Sequence, residues 1–236
     1  MRVNRARVVD TAVPAQPTGL VLVLHGGAAR AGAARVSPAQ LSVLRMVPVA
    51  ARVARAGRDR LVVQRLLNSS RGWDAGHTPV DDVRWALDRA EERFGELPVC
   101  LVGHSLGGRA AILAAEHPSV RSVVALAPWV YPQEGRLDLA GRRVLLVHGD
   151  ADRVASPAAS AAVARDLART ADVAYVTVTG GKHAMLGRHS VFDGLAAEWA
   201  SATLSGRPPD TTDGPTDDEG PGIVARALAG ERWITV

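Results

Sequence analysis

The residues of this chain that could do chemistry begin with a serine set between glycines. Residues Gly103–Gly107 read Gly-His-Ser-Leu-Gly, a G-x-S-x-G pattern centred on Ser105. The pattern follows the apolar run Val99–Val102 and precedes an alanine-rich helical stretch, Leu106–Glu116. A serine on such a strand–turn–helix corner exposes its hydroxyl, and the flanking glycines permit the tight turn. The spacing therefore predicts that Ser105 is a nucleophile.

A serine hydroxyl is a weak nucleophile unless a base removes its proton. On a corner of this kind, the acid and then the histidine follow the serine in the chain. Four of the seven histidines do so: His117, His148, His183 and His189. The first two are predicted to be structural, at a helix end and a strand tip. His183 follows Val173–Val178 in a glycine-rich segment and is the predicted base, with His189 as the alternative.

The acid that orients the histidine is sought in the loop after another apolar run, Val144–Val147. Two carboxylates are available there, Asp150 and Asp152. We choose Asp152 because it lies farther into the loop, and Asp150 is the reserve. Capping a turn is the commonest role of an aspartate placed like Asp150.

Backbone donors for a developing oxyanion are expected after the first buried strand. His25-Gly26-Gly27 follows the apolar run Leu20–Leu24. Bare glycine amides can approach a carbonyl oxygen closely. Gly27 is therefore predicted to donate one N–H, and Leu106, directly after the nucleophile, the other.

Six short apolar runs recur along the chain and are continuous rather than alternating. This pattern is typical of strands buried on both faces of a parallel sheet. The runs are Leu20–Leu24, Leu61–Val63, Val99–Val102, Val123–Leu126, Val144–Val147 and Val173–Val178. The more alternating Val3–Val9 predicts an antiparallel edge strand.

Helical patterns lie between these runs, and the clearest is Thr78–Phe94, with Thr78 as a cap and Pro79 at the first helical position. A second helix is predicted to open at Ser156-Pro157 and a third to include Val191 to Trp199. A weaker one follows Pro48 and ends at Gly57. Alternating strands and helices predict an α/β fold with a mostly parallel central sheet.

Four motifs in this order resemble the α/β-hydrolase family over residues 3–204. They are Leu24–Gly27, Gly103–Gly108, His148–Asp152 and Gly180–His183. The resemblance implies helices on both faces of the sheet and a triad of Ser105, Asp152 and His183.

The resemblance also indicates what the chain lacks. Family members with a cap domain insert it where this chain has only Ala127–Arg143, so we expect no lid. Epoxide hydrolases and haloalkane dehalogenases of this fold use aspartate at the nucleophile position, so those two reactions are disfavoured. Trp73, Trp129, Tyr131 and Met185 are candidates to line a pocket, although packing explains most such residues.

Composition limits the classes of protein to consider. The 236 residues, 47% of them hydrophobic, suit one domain with a sizeable core. The single cysteine, Cys100, excludes an internal disulfide, and we expect neither a metal nor a cofactor. The net charge is only +4 and the arginines are scattered, which disfavours nucleic-acid binding. No run of 18 apolar residues is present, so we expect no membrane partner and a cytoplasmic protein.

The C-terminus differs in composition from the body of the chain. Residues 205–222 contain no large apolar side chain and are predicted to be a disordered acidic linker after a domain spanning 1–204. The tail, 223–236, contains Trp233 and either docks weakly on the body or contacts a partner.

These observations favour a serine hydrolase that cleaves a small carboxylic ester, or a thioester or lactone, through an acyl-enzyme. Two alternatives remain open at this point. One is an acyltransferase that uses the same triad, and the other is a non-catalytic binding protein with a hydrolase fold.

Overall fold

The computed structural model describes residues 6–27, 36–74, 76–205 and 222–236. In this part of the chain, eight strands form one sheet in the spatial order β1-β3-β2-β4-β5-β6-β7-β8. The strands are β1 Arg7–Ala12, β2 Gly19–Leu24, β3 Leu61–Leu67, β4 Val99–His104, β5 Val120–Leu126, β6 Arg143–Gly149, β7 Asp172–Val178 and β8 Trp233–Thr235. Only β1 runs antiparallel to its neighbour, and the other pairs are parallel.

Helices cover both faces of the sheet and leave two hydrophobic cores. The helices are α1 Leu41–Ala56, α2 Thr78–Phe94, α3 Leu106–Leu113, α4 Pro157–Leu167, α5 His189–Ser205 and α6 Ile223–Leu228. Helices α2, α3 and α4 pack on one face with Leu20, Leu22 and Leu24 of β2. Helices α1, α5 and α6 pack on the other face with Val21 and Val23 of the same strand. Alternate side chains of one strand thus enter opposite cores, as the continuous apolar runs predict.

The strand order creates a topological switch point between β2 and β4. After β2 the chain enters α1 on one face, whereas after the neighbouring β4 it enters α3 on the other face. Ligands of open α/β sheets bind at such a switch point, beside the two loops that leave the carboxyl ends of these strands. The predicted nucleophile and oxyanion glycines lie on these two loops.

The segment between β5 and β6 is fully described. Its one regular element is a short 3-10 helix, Pro132–Arg136, which packs against α4. The fold class predicted from the sequence is confirmed.

Several predicted boundaries are shifted. Helix α1 begins at Leu41, so Pro48 lies inside it rather than before it. Pro48 is on the exposed side, where water can hydrogen-bond the carbonyl that the proline leaves unpaired. Strand β1 lies later than Val3–Val9, and residues 1–5 lie outside the described residues. Helix α2 spans Thr78–Phe94 as predicted, but Thr78 is its first residue rather than its cap, and the N–H of Thr78 is bonded to the upstream carboxylate of Asp74.

The C-terminal tail forms an element that the sequence analysis did not predict. Strand β8 pairs with β7, and the carbonyl of Val236 accepts the N–H of Thr179 at 2.6 Å. Val224 of α6 and Ile234 of β8 are buried in the core shared with α5. The proposed linker falls mostly on residues 206–221, which lie outside the described residues.

Removing the buried side chain of β8 tests how firmly the tail is docked. Ile234→Ala should lower the free energy of unfolding by about 2–5 kcal/mol, because it leaves a cavity against the core. The neighbouring Thr235 is exposed, so Thr235→Ala is the matched control and should change stability by less than about 0.5 kcal/mol. Chemical denaturation of the two variants measures both values. Equal stabilities would mean that the tail does not dock in solution.

Candidate active site

Ser105 occupies the sharp corner between β4 and α3. Its backbone has φ 55° and ψ −119°, in the left-handed region that L-residues rarely adopt. A Cβ on Gly107 would lie 2.5 Å from the carbonyl oxygen of Leu24. A Cβ on Gly103 would overlap the backbone of Gly107. The glycines of the motif are thus required by close approach of the backbone, and the serine is held at the carboxyl end of the sheet.

His183 lies on the loop after β7, within hydrogen-bond reach of the serine. Ser105 Oγ–H donates to His183 Nε2 at 3.0 Å. Met185, two residues later, has φ 59° and is fully buried, so it anchors the loop in the core rather than lining a pocket. His189 begins α5 and is exposed. The structure therefore brings His183, and not His189, to the serine.

Asp152 contacts the other nitrogen of the same ring. His183 Nδ1–H donates to Asp152 Oδ2 at 2.8 Å, while Oδ1 accepts the backbone N–H groups of Val154 and Ala155. Burial by itself would raise the pKa of Asp152, but the hydrogen bonds it accepts, first that from the ring of His148, lower the pKa well below its ordinary value. The carboxylate is therefore an anion whenever His183 can act as a base.

Asp150 has a different partner from Asp152. Its Oδ1 accepts the N–H of Gly180 at 2.7 Å, which ties the loop after β6 to the loop that carries His183. Asp150 is exposed, as expected for a turn aspartate. The two carboxylates of this loop thus have separate roles, and only Asp152 contacts His183.

The glycines after β2 lie against the nucleophile corner. A Cβ on Gly26 would be 3.3 Å from Ser105 Cβ. A Cβ on Gly27 would be 2.5 Å from the carbonyl oxygen of Arg71 and 3.4 Å from Leu106 Cδ1. The N–H of Leu106 is the first of α3, so it has no partner within its helix. Gly27 therefore lies beside the side chain of Leu106, and the pairing of their N–H groups as oxyanion donors stays a prediction.

His25 holds the glycine turn in place. Its Nδ1–H donates to the carbonyl of Gly26 at 2.6 Å, and its Nε2 accepts the N–H of Asn68 at 3.2 Å. Burial lowers the pKa of His25, consistent with a neutral ring that donates from one nitrogen and accepts at the other. The loops after β2 and β3 are thereby joined beside the serine.

Aromatic side chains predicted to line a pocket are grouped around a buried arginine of α3. The guanidinium of Arg109 lies 4.2 Å from the ring centroid of Trp73 and 4.7 Å from that of Tyr131. Its charge is paired with the buried carboxylate of Glu134 at 2.8 Å. Trp129 donates its indole N–H to the Tyr131 hydroxyl at 3.2 Å. These three aromatic residues form a wall beside the nucleophile helix.

The sequence analysis missed the side chains that hold the His183 loop. Arg45 of α1 donates Nε–H to the carbonyl of Ala184 at 3.0 Å and pairs with Asp193 of α5 at 2.7 Å. His104, inside the G-x-S-x-G motif, donates Nε2–H to the carbonyl of His183 at 2.8 Å. No spacing rule links residues so far apart in the chain. The sequence carries one signal for the ion pair of Arg45 with Asp193. Arg45 lies among the apolar residues of α1 that face the core, where an arginine is rarely buried unless it is paired.

Among the described residues, no helix is long and apolar enough to cross a membrane. In the same part of the chain, no three histidine, cysteine, aspartate or glutamate side chains are grouped to hold a metal ion.

Comparisons with known proteins agree with this fold. The family model described as the alpha/beta hydrolase family matches residues 81–202. None of the curated proteins compared with the chain matches it by sequence.

Solved structures share the fold at low sequence identity. Est1E from Butyrivibrio proteoclasticus superposes with a TM-score of 0.63 at 17% identity, over 85% of this chain and 94% of that one. An alpha-beta serine hydrolase homologue from Coxiella burnetii gives 0.64 at 20% identity, over 83% and 92%. XC6422 from Xanthomonas campestris, described as a serine hydrolase without a lid, gives 0.57 at 20% identity, over 81% and 85%. With the family model matching residues 81–202, the chain belongs to the α/β-hydrolase family.

Proposed function

We propose that this protein is a serine hydrolase that cleaves a small carboxylic ester through an acyl-enzyme. The observation that carries the proposal is the continuous chain from Ser105 Oγ through His183 to Asp152, with hydrogen bonds of 3.0 and 2.8 Å. Serine, histidine and an ionised carboxylate in this order form a nucleophile, its base and the group that orients the base.

In the first step, Ser105 Oγ attacks the ester carbonyl carbon while its proton passes to His183 Nε2. The negative charge that forms on the carbonyl oxygen is stabilised by the N–H groups of Gly27 and Leu106. As the tetrahedral intermediate collapses, the carbon–oxygen bond to the alcohol breaks and His183 returns the proton to the leaving oxygen. The alcohol departs, and the acyl group remains on Ser105.

In the second step, water replaces the alcohol and the sequence runs in reverse. His183 takes a proton from the water, the hydroxyl oxygen attacks the acyl carbon, and the proton then goes to Ser105 Oγ as the acid leaves. The carboxylate of Asp152 faces the imidazolium that forms in both steps and favours it electrostatically. A thioester or a lactone would react by the same path, because only the leaving atom changes.

Similar structures support an ester as the substrate class without determining which ester. One of them is an arylesterase, and Est1E has been solved with ferulic acid bound. The aromatic wall of Trp73, Trp129 and Tyr131 offers this chain a surface suited to flat, apolar ester groups. Assaying p-nitrophenyl esters from acetate to palmitate, with and without an added alcohol, identifies the acyl group and separates hydrolysis from acyl transfer.

Labelling with a fluorophosphonate probe tests the nucleophile directly. The wild-type protein should be labelled on Ser105, and Ser105→Ala should lose both labelling and esterase activity while remaining folded. His183→Ala should lose a similar amount of activity, on the order of 10⁶-fold in kcat, because triad members act as a unit. His189→Ala is the control and should keep wild-type activity. If His189→Ala is the inactive variant, the assigned base is wrong.

Asp152 and Asp150 lie on the same loop, so the same substitution at each residue tests which carboxylate is the acid of the triad. Asp152→Asn should reduce kcat by up to about 10⁴-fold, because an amide no longer holds the histidine tautomer with its proton on Nδ1. Asp150→Asn retains the side-chain oxygen that accepts the N–H of Gly180, so it should change kcat by much less. Steady-state kinetics on a soluble ester measures both. A larger loss in Asp150→Asn would transfer the acid to that residue.

His104, which lies beneath the His183 loop as a neutral ring, should make the free energy of unfolding decrease in acid. Burial, and then the charge of His183, lower the pKa of His104 from 6.5 to about 3. The unfolded chain therefore binds a proton between pH 6.5 and 3 that the folded chain does not, so stability falls as the pH is lowered through this window, by up to about 5 kcal/mol.

Chemical denaturation from pH 7 to pH 4 measures that fall. His104→Gln should flatten the decline, because an amide has no proton to gain. His189→Gln should not, because His189 is exposed. Parallel curves for wild type and His104→Gln would contradict the assignment.

A further inference from the structure

A second histidine contacts the carboxylate of Asp152. His148 lies near the end of β6, and its side chain is 0% exposed. Its Nε2 is 3.0 Å from Asp152 Oδ2, the same oxygen that lies 2.8 Å from His183 Nδ1. The other oxygen accepts the N–H groups of Val154 and Ala155. Each carboxylate oxygen therefore has two donors, which fixes both the position and the rotation of the group.

The far side of the His148 ring is also bonded. Ser160 of α4, itself fully buried, has its Oγ 2.7 Å from His148 Nδ1. Because an ionised carboxylate can only accept, Nε2 of His148 carries the proton that faces Asp152. In the neutral ring Nδ1 is then an acceptor, and Ser160 donates to it.

The hydroxyl of Tyr175 on β7 completes the arrangement. It lies 3.1 Å from Ser160 Oγ and donates to the carbonyl of Pro157 at 3.0 Å. Ser160 Oγ also lies 3.0 Å from the carbonyl of Pro157, but Tyr175 already donates to that carbonyl, so the Ser160 proton is available to His148. The titratable groups that face His148 are Asp152 and, across Ser160, Tyr175, with His183 on the far side of the carboxylate.

We propose that His148 is a positioning residue for Asp152, and that Ser160 fixes the ring tautomer in which His148 donates. The proposal rests on the proposed function, since it assigns to His148 a role that acts through the acid of the triad. The hydrogen bond holds the carboxylate against His183 and disperses part of its charge. A neutral His148 leaves the net charge of Asp152 available to the imidazolium that forms on His183.

The test compares the pH profiles of kcat/KM for p-nitrophenyl acetate. His148→Phe keeps a ring of similar size but removes the donor. It should lower kcat/KM by about 10- to 100-fold through kcat, as misplaced reacting groups do. The acid limb should also move to higher pH, because a carboxylate with one donor fewer attracts the proton on His183 more strongly. His148→Gln restores an N–H toward Asp152 and should recover most of both effects.

Ser122→Ala is the control for a purely structural role. It removes a fully buried hydroxyl that is bonded to Thr203 of α5 and contacts neither His148 nor Ser160, so it should lower the melting temperature and leave the pH profile unchanged. A profile of His148→Phe that superimposes on the wild type would overturn the proposal. So would a shift of the acid limb in Ser122→Ala as large as that in His148→Phe.

Long-range ¹H–¹⁵N correlation of histidine-labelled protein gives a readout independent of activity. The signals of the His148 ring are assigned by their loss in a His148 variant or by sequential assignment. They should show a neutral tautomer with the proton on Nε2. Ser160→Ala should give a mixture of tautomers, and this variant decides the matter if His148→Phe does not fold. A ring protonated on Nδ1 alone, or a tautomer unchanged in Ser160→Ala, would overturn the proposal. Failure of fluorophosphonate to label the wild-type protein would instead overturn the proposed function.

Discussion

The backbone at Ser105 determines how the surrounding structure is built. A left-handed φ at a non-glycine residue is unfavourable, and it persists where neighbouring contacts hold it. Here the contacts come from packing that excludes any side chain at Gly103 and Gly107. The N–H of Ser105 is bonded to the carbonyl of Leu126 on β5, and the carbonyl of Ser105 accepts from Trp129. The sheet and the loop after β5 thus hold the corner in the conformation that exposes the hydroxyl.

The rest of the site reaches this corner from loops that would otherwise be independent. Asp152 connects three parts of the structure by hydrogen bonds. These are its own loop, the loop of His183 and, through His148, helix α4. Arg45 and Asp193 join the loop of His183 to the opposite face of the sheet. Buried charges of this kind are costly unless they are paired and hydrogen-bonded. Their concentration at one edge of the sheet is therefore explained by positioning of the site rather than by stability.

The sequence predicted the fold and the parts of the site that depend on local pattern. Apolar runs mark strands because their side chains enter two cores, and glycines around a serine mark a corner because no other residue fits there. The choice of Asp152 over Asp150 rested only on distance along the loop. In the structure the two carboxylates have different hydrogen-bond partners, because Asp152 contacts His183 and Asp150 contacts the N–H of Gly180. His148 was predicted to be structural because a histidine at a strand tip carries no mark of what lies beneath it. Its contacts with Asp152 and Ser160 arise from packing of β6 against α4, which no spacing rule encodes.

The tail shows why composition alone underestimates a short segment. Residues 223–236 contain six large apolar side chains, but composition does not show where on the body of the protein these can be buried. Strand β8 occupies the edge of β7, where its backbone also satisfies N–H and C=O groups that an edge strand leaves unpaired. One of these is the N–H of Thr179, the first residue of the loop that leads to His183. The last strand of the sheet therefore secures the base of the loop on which the proposed chemistry depends, although it contributes no side chain to the site.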